Sequence, residues 1–127
     1  MALNYTIDID QQLITITGEY ADAGEWAELL ARILSDPRRA PGFSVLRDLR
    51  DATTPTDAAT VVSAMSVVRR FWPQIQPSRA AILTRNDIDP SALVASALAD
   101  AHGLPLRTFR SIDAAMQWLQ TDSVLGV

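Results

Sequence analysis

Charged and hydroxyl side chains lie where predicted buried strands end and helices begin. Asp48, Arg50 and Asp51 end one apolar segment of strand length, and Arg85 follows a second one, residues 80–84. Because the carboxyl ends of parallel strands meet at one edge of a sheet, we expect these side chains to lie together. Arginine beside helix N-termini binds carboxylates and phosphates through charge-assisted hydrogen bonds. The pattern predicts an edge that binds a protein partner or an anion, formed by Asp48, Arg50, Asp51, Thr54, Thr56, Asp57 and Arg85.

The segment Thr54-Pro55-Thr56-Asp57 predicts the start of a helix. Thr54 would be the N-cap, Pro55 would occupy the first helical position, and Asp57 would complete a capping box. Thr56 is a candidate for modification, because a phosphate at a helix N-terminus is favoured by the helix dipole and by free N–H groups. The simpler interpretation, which we favour, is that Thr54 and Asp57 only cap the helix.

The inventory of reactive side chains argues against catalysis. The chain has no cysteine and one histidine. It has no lysine, so all 11 basic side chains are arginine, which excludes Schiff-base chemistry and lysine-dependent phosphate loops. His102 precedes Gly103 at a predicted helix end, where an imidazolium suits the helix dipole. No G-x-S-x-G motif is present. We therefore expect a protein that is not an enzyme, with no metal and no cofactor.

Length and composition indicate one soluble domain. The chain has 127 residues, of which 48% are hydrophobic and 20% charged, and its formal net charge is −4. That charge argues against nucleic-acid binding. No apolar run approaches the roughly 20 residues that a membrane span needs, and the first residues do not look like a signal peptide. We therefore expect a cytoplasmic protein that does not span a membrane, with one domain over residues 1–121 and a flexible tail over 122–127.

Hydrophobic periodicity divides the chain into strands that alternate with helices. Residues 3–9 alternate between apolar and polar, and residues 13–17 form a second strand after a polar turn. The later elements predict the order β-β-α-β-α-β-α-β-α. The helix from Pro55 should end near Phe71 because Pro73 follows, and Pro105 places the last strand at a sheet edge. The expected fold is α/β: a mixed, mostly parallel sheet with an antiparallel N-terminal hairpin and four helices on both faces.

This element order and three short motifs resemble the STAS domain family, and in particular the small stand-alone bacterial SpoIIAA-like proteins. The motifs are a polar-ended strand, an apolar pair and a closing helix: Val45-Leu46-Arg47-Asp48-Leu49-Arg50-Asp51, then Ala81-Ile82, then Phe109 with Ala115, Trp118 and Leu119. The resemblance spans nearly the whole chain. It implies a STAS-like fold and a non-catalytic regulatory or protein-interaction module similar to the anti-sigma-factor antagonists, with a kinase or an anti-sigma-like factor as the kind of partner.

In those antagonists a kinase phosphorylates a serine in an Asp-Ser-Ser-Gly-like turn at the start of the second helix. The resemblance places Thr56 and Asp57 at that turn, with Pro55 just before them. The Ser-Ser-Gly sequence is missing, and Asp57 stands about where the phosphoacceptor is expected. A phosphorylation switch at Thr56 is therefore one interpretation, and a simple helix cap is the other.

Two further interpretations remain open. Trp72 lies at a helix end, and an exposed tryptophan there would suit a homodimer contact or a partner surface. The third helix is rich in small residues, which could leave room beside the sheet for a small molecule such as a lipid. Small residues also allow a helix to pack closely on a sheet, which is the interpretation we prefer. These residues are Ala92, Ala95, Ala97, Ala99 and Ala101.

Overall fold

The computed structural model describes residues 3–53, 56–85 and 90–121. These residues form five strands and four helices, and the predicted α/β class and element order are confirmed. Thr54, Pro55 and the predicted tail over 122–127 lie outside the described residues. The elements are β1 (Leu3–Asp8), β2 (Leu13–Gly18), α1 (Ala23–Ser35), β3 (Ser44–Asp48), α2 (Ala58–Ile75), β4 (Ala80–Leu83), α3 (Pro90–Ala101), β5 (Leu106–Phe109) and α4 (Ile112–Gln120).

The strands form one mixed sheet in which the spatial order, β1-β2-β3-β4-β5, is also the order along the chain. β1 pairs antiparallel with β2, with Tyr5 opposite Ile16. The other three pairings are parallel. The N-terminal hairpin therefore lies at one edge of the sheet and β5 at the other, as the alternation in β1 and the proline before β5 predicted.

The two faces of the sheet are covered unequally. Ile14 and Ile82 point towards the layer formed by α1, α2 and α3, whereas Leu46 and Leu83 point towards α4. This distribution follows from the strand order, because right-handed crossovers that always step in the same direction place their helices on the same face. Helices on both faces were predicted, but only α4 covers the second face among the described elements.

Hydrogen bonds as well as packing hold α4 against the sheet. Arg79 Nη1 donates a 2.6 Å hydrogen bond to the carbonyl oxygen of Trp118, and Ser44 Oγ donates one of 3.2 Å to that of Leu119. These carbonyl groups belong to the last turn of α4, where helix carbonyls need partners from outside the helix body, and that of Trp118 also accepts the N–H of Thr121 at 3.3 Å. The guanidinium carbon of Arg79 also lies 5.0 Å from the centre of the Trp118 ring. Arg79 and Ser44 therefore fix the C-terminal end of the helix.

The start of α2 corrects one sequence prediction. Asp57 is the N-cap, and its Oδ1 accepts a 2.8 Å hydrogen bond from the backbone N–H of Thr60. The helix begins at Ala58, so Asp57 is its N-cap and not the residue of the first turn that would close a capping box. The sequence offers two cap positions three residues apart, Thr54 and Asp57, and the structure uses the second.

The end of α2 corrects another. The helix continues through Pro73 to Ile75, although the sequence predicted an end near Phe71. Proline lacks a backbone N–H, so it removes one hydrogen bond of the last turns without preventing the next residues from staying helical. Ile75 is buried in the core, and Gln76 ends the helix in the left-handed region, with φ +53°, while its N–H donates to the carbonyl of Trp72. Burial of Ile75 therefore outweighs the proline signal.

Candidate functional site

A cavity of about 130 Å³ lies between the sheet and the α1–α3 layer. Its walls are almost wholly apolar, and it is partly open to solvent. In another protein, an engineered apolar cavity of about 150 Å³ binds benzene. The space here is thus large enough for one aromatic ring or a short alkyl chain. Its walls include Ile16, Val45 and Ile82 from the strands and Trp26, Ala64, Trp72 and Ala95 from the helices.

Small residues on two helices leave this space open. Ala92 and Ala95 of α3 and Ala64 of α2 are buried and border the cavity, where longer side chains would fill it. Ala99 is fully buried against the sheet, and Ala97 faces solvent. The alanines of α3 therefore do both things considered from the sequence: some allow close packing, and others leave room beside the sheet.

Arg47 is the charged residue in the wall of this otherwise apolar cavity. It lies within β3, and only 8% of its surface is exposed. Its Nη1 donates a 3.1 Å hydrogen bond to the carbonyl oxygen of Gly18, and its Nη2 donates one of 2.8 Å to that of Glu19. Its guanidinium carbon lies 5.5 Å from the centre of the Trp26 ring, a cation–π distance. The guanidinium is therefore held in one place by the chain between β2 and α1.

Gly18 makes this contact possible. Its φ of +113° is a backbone conformation that L side chains rarely adopt, and it turns the chain out of β2. The turn brings two successive carbonyl groups, those of Gly18 and Glu19, to the guanidinium of Arg47. A glycine at this position is thus required by the geometry that fixes the arginine.

Among the residues that the structure describes, no carboxylate forms an ion pair with Arg47. The ion pairs within the described residues join Arg38 to Asp36 and Arg50 to Asp48, and neither involves Arg47. Burial lowers the pKa of Arg47 to about 10, while the charges of Tyr20, Asp48 and Glu19 raise it. The guanidinium therefore stays protonated at neutral pH, as a buried cation at the wall of an apolar space.

The predicted binding edge, hereafter the carboxyl edge, is the region beyond the ends of β3 and β4. Asp48 pairs with Leu83 in the sheet, so Arg50 and Arg85 each lie two residues beyond this pair, at the same end of the sheet. Arg50, Asp51 and Arg85 are exposed, and Thr56 is half-buried just before the N-cap of α2. Thr54 lies outside the described residues. The topology thus brings Arg50 and Arg85 to one end.

Two of the charged groups of the carboxyl edge, Arg50 and Asp48, are bonded to each other. Arg50 Nε and Nη2 donate hydrogen bonds of 3.0 and 2.8 Å to the two carboxylate oxygens of Asp48. These bonds lower the pKa of Asp48 and raise that of Arg50. Asp57 accepts the N–H of Thr60, which lowers its own pKa and places a negative charge at the N-terminus of α2. An incoming anion would therefore compete with two carboxylates already present.

Two other residues singled out from the sequence, His102 and Trp72, lie outside the carboxyl edge. His102 is exposed at the end of α3, where Arg69 Nη1 lies 2.9 Å from its Nε2 and 3.0 Å from its Nδ1. Trp72 is half-buried, packs against the core and borders the cavity. A homodimer contact centred on Trp72 would need an exposed ring, and the ring is half-buried in this structure.

Sequence reasoning missed Arg47 as a site residue, although a signal for it was present. Val45 and Arg47 share one face of β3, because alternate residues of a strand point the same way, and Leu49 continues this alternation just after the strand. Since β3 lies between two parallel strands, a charged residue flanked by two apolar ones on that face must be buried. In the sequence, Arg47 stands out only as part of a strand motif.

The described residues contain neither a group of potential metal ligands nor a membrane-spanning helix. Among the residues that the structure describes, no group of three or more histidine, cysteine or acidic side chains is placed to hold a metal ion. Within the same residues, no helix is both long and apolar enough to cross a membrane. No protein-family model matches the chain, and no curated protein matches it.

Proposed function

We propose that this protein is a non-catalytic binding protein that takes up a small apolar molecule in the cavity between the sheet and the α1–α3 layer. The observation that carries the proposal is the cavity itself, about 130 Å³ of apolar space in a fold of 127 residues. Native cores are packed nearly as densely as organic crystals, so a void of this size has a cost in stability that a bound molecule would offset.

The position of the cavity supports a ligand role. It borders residues at the carboxyl ends of the parallel strands, including Tyr20 and Leu49, and residues of the first turns of two helices, Thr60 and Ser91. In open α/β sheets, ligands bind outside the carboxyl ends of the strands. The cavity extends from this end into the core between α2 and α3.

Titration with hexanol, followed by amide shifts in heteronuclear NMR, tests the proposal. We expect saturable binding with shifts at cavity residues such as Val45 and Ile82. Ala95→Leu should weaken binding by about tenfold or more, because the added side chain occupies the space. Ala97→Leu is the matched control: it makes the same change on the exposed side of the same helix and should leave binding unchanged. Absence of saturable binding to the parent protein, or equal binding by the two variants, would overturn the proposal.

The interaction module predicted from the sequence is the second proposal. It would use the carboxyl edge, where Arg50, Arg85 and Thr56 lie at one end of the sheet, with Thr56 as the residue open to phosphorylation. It ranks second because Asp48 pairs with Arg50 and Asp57 caps α2, so two carboxylates oppose an anion there. A calorimetric titration with inorganic phosphate and nucleotides tests the anion form of this role, and Arg85→Gln should weaken any binding that is seen.

STAS membership, a homodimer and a cytoplasmic location stay predictions that accompany this second proposal. The described fold is α/β with a mixed five-stranded sheet, which is compatible with a STAS-like architecture. A pull-down from the native host, combined with native mass spectrometry of the purified protein, separates a protein partner from a carried small molecule.

A further inference from the structure

Among the described residues that line the cavity, Arg47 alone carries a full charge. We propose that Arg47 makes the cavity specific for a small carboxylic acid with an apolar tail. The tail would occupy the apolar space, and the carboxylate would accept hydrogen bonds from the guanidinium. This inference rests on the proposed function and names its ligand class.

The guanidinium has donors available for such a ligand. It carries five N–H groups in a planar fork that matches the geometry of a carboxylate. Its hydrogen bonds to the described residues go to two carbonyl oxygens, those of Gly18 and Glu19. Three N–H groups are therefore left for other acceptors, and a carboxylate can take two of them at once.

The charge balance around Arg47 also favours an anion. The two carboxylates whose charges act on Arg47 also bind other groups: Asp48 binds Arg50, and Glu19 accepts the N–H of Thr53 at 2.9 Å. Neither forms an ion pair with Arg47. A ligand carboxylate would supply a counter-charge in contact with the guanidinium, inside an apolar wall where the attraction is screened less than in water.

The guanidinium is already positioned before a ligand arrives. Two carbonyl groups and the ring of Trp26 fix it at the wall, and Trp26 borders the same cavity. Little side-chain freedom is then lost when the carboxylate binds, which improves affinity. The arrangement combines an apolar space, a fixed cation and donors that suit a carboxylate.

A comparison of three ligands with the parent protein tests the inference without any substitution. The three ligands have similar alkyl chains, but only hexanoate is charged at neutral pH, whereas hexanamide and hexanol are neutral. Calorimetry of the three therefore measures the contribution of the carboxylate to binding. We expect hexanoate to bind about tenfold or more tightly than either neutral ligand. If hexanol binds and hexanoate binds no better, this inference fails while the proposed function stands. If none of the three binds, the proposed function fails first.

Substitutions then locate the effect. Arg47→Gln should remove the preference for hexanoate and leave the affinity for hexanol within about twofold, whereas Arg47→Lys should keep part of the preference because it keeps the charge. Arg50→Gln is the control for binding at the carboxyl edge and should preserve the full preference. A preference that survives Arg47→Gln, or disappears with Arg50→Gln, would overturn the inference. If Arg47→Gln does not fold, the three-ligand comparison and Arg50→Gln still decide the matter.

Discussion

The hydroxyl group of Tyr5 donates a 2.8 Å hydrogen bond to Asp36 Oδ2, which ties the edge strand β1 to the residue that ends α1. Asp36 also accepts hydrogen bonds of 3.0 and 2.7 Å from Arg38 Nε and Nη2. The hydrogen bond from Arg38 holds the pKa of Asp36 far below its usual range, and burial raises the pKa of Tyr5. The pair joins β1 to the helix layer on the side of the molecule away from the carboxyl edge.

Tyr5→Phe should lower the free energy of unfolding by about 0.5–1 kcal/mol at neutral pH, since the ring is kept and only the hydrogen bond is lost. The folded pKa of Asp36 is depressed, so its contribution is present above the unfolded pKa of about 3.9 and is lost as pH falls through the lower folded value. The difference between parent and variant should therefore narrow in acid. Urea denaturation at neutral and acidic pH measures both values, and a constant difference would contradict the expectation.

Asp57→Ala should lower the melting temperature by several degrees, because α2 loses the side chain that accepts the N–H of Thr60. Asp57→Asn is the matched control, since asparagine is an equally good N-cap. The pKa of Asp57 is lowered by these hydrogen bonds, so the charged cap stabilises the protein above about pH 3.9 and loses its effect as pH falls below that value. Circular dichroism melts across this range should show the difference between the parent and Asp57→Ala narrowing in acid, while the difference between Asp57→Asn and Asp57→Ala stays constant; equal melting of Asp57→Ala and the parent at neutral pH would argue against the observed cap.

Gln76→Gly should raise the free energy of unfolding by about 1 kcal/mol. Gln76 ends α2 with φ +53°, in the left-handed region. This conformation is strained for residues that carry a side chain and is unstrained for glycine. Gln74→Gly is the control within the same helix: it should destabilise the protein by about 0.5–1 kcal/mol because glycine is a poor helix former. Chemical denaturation should therefore show changes in the free energy of unfolding of opposite sign for the two variants. A destabilised Gln76→Gly would contradict a left-handed residue at this helix end.

Tryptophan emission should report occupancy of the cavity. Trp26 and Trp72 border the cavity, whereas Trp118 packs against the other face of the sheet with Phe109 and Arg79. Hexanoate or hexanol should therefore change the emission of the parent protein in a saturable way. A variant with phenylalanine at positions 26 and 72, which keeps only Trp118, should give no change; a response from that variant would place the ligand elsewhere.

Most of the fold follows from local patterns in the sequence. The alternation of Leu3, Tyr5 and Ile7 predicted a half-buried strand, and the observed register places these residues opposite Gly18, Ile16 and Ile14. The ends of α2 were predicted less well. Two equivalent caps lie three residues apart, and the proline at position 73 is outweighed by the burial of Ile75, which depends on contacts with other elements.

The site was harder to predict, because a cavity forms where the side chains of the sheet and of the helices beside it leave space between them. From the sequence, Ala92 and Ala95 are equally compatible with a helix packed closely on the sheet and with a helix that leaves space beside it. The distance between helix and sheet decides between the two, and it is known only from the structure. The carboxyl edge was predicted from residue types after strands, and the topology brings Arg50 and Arg85 to one end. The sequence could not show that Arg50 is already bound to Asp48.

Since strand order equals chain order, each newly synthesised strand can pair at once with the one made just before it. The β1–β2 pairing is local in sequence, whereas each parallel pairing spans an intervening helix and therefore forms more slowly. The face beneath α4 is different: Leu46, Ala81 and Leu83 meet their covering helix only after residues 112–120 have left the ribosome. Until then this apolar surface stays open, so a nascent or prematurely ended chain presents a target for chaperones and for aggregation.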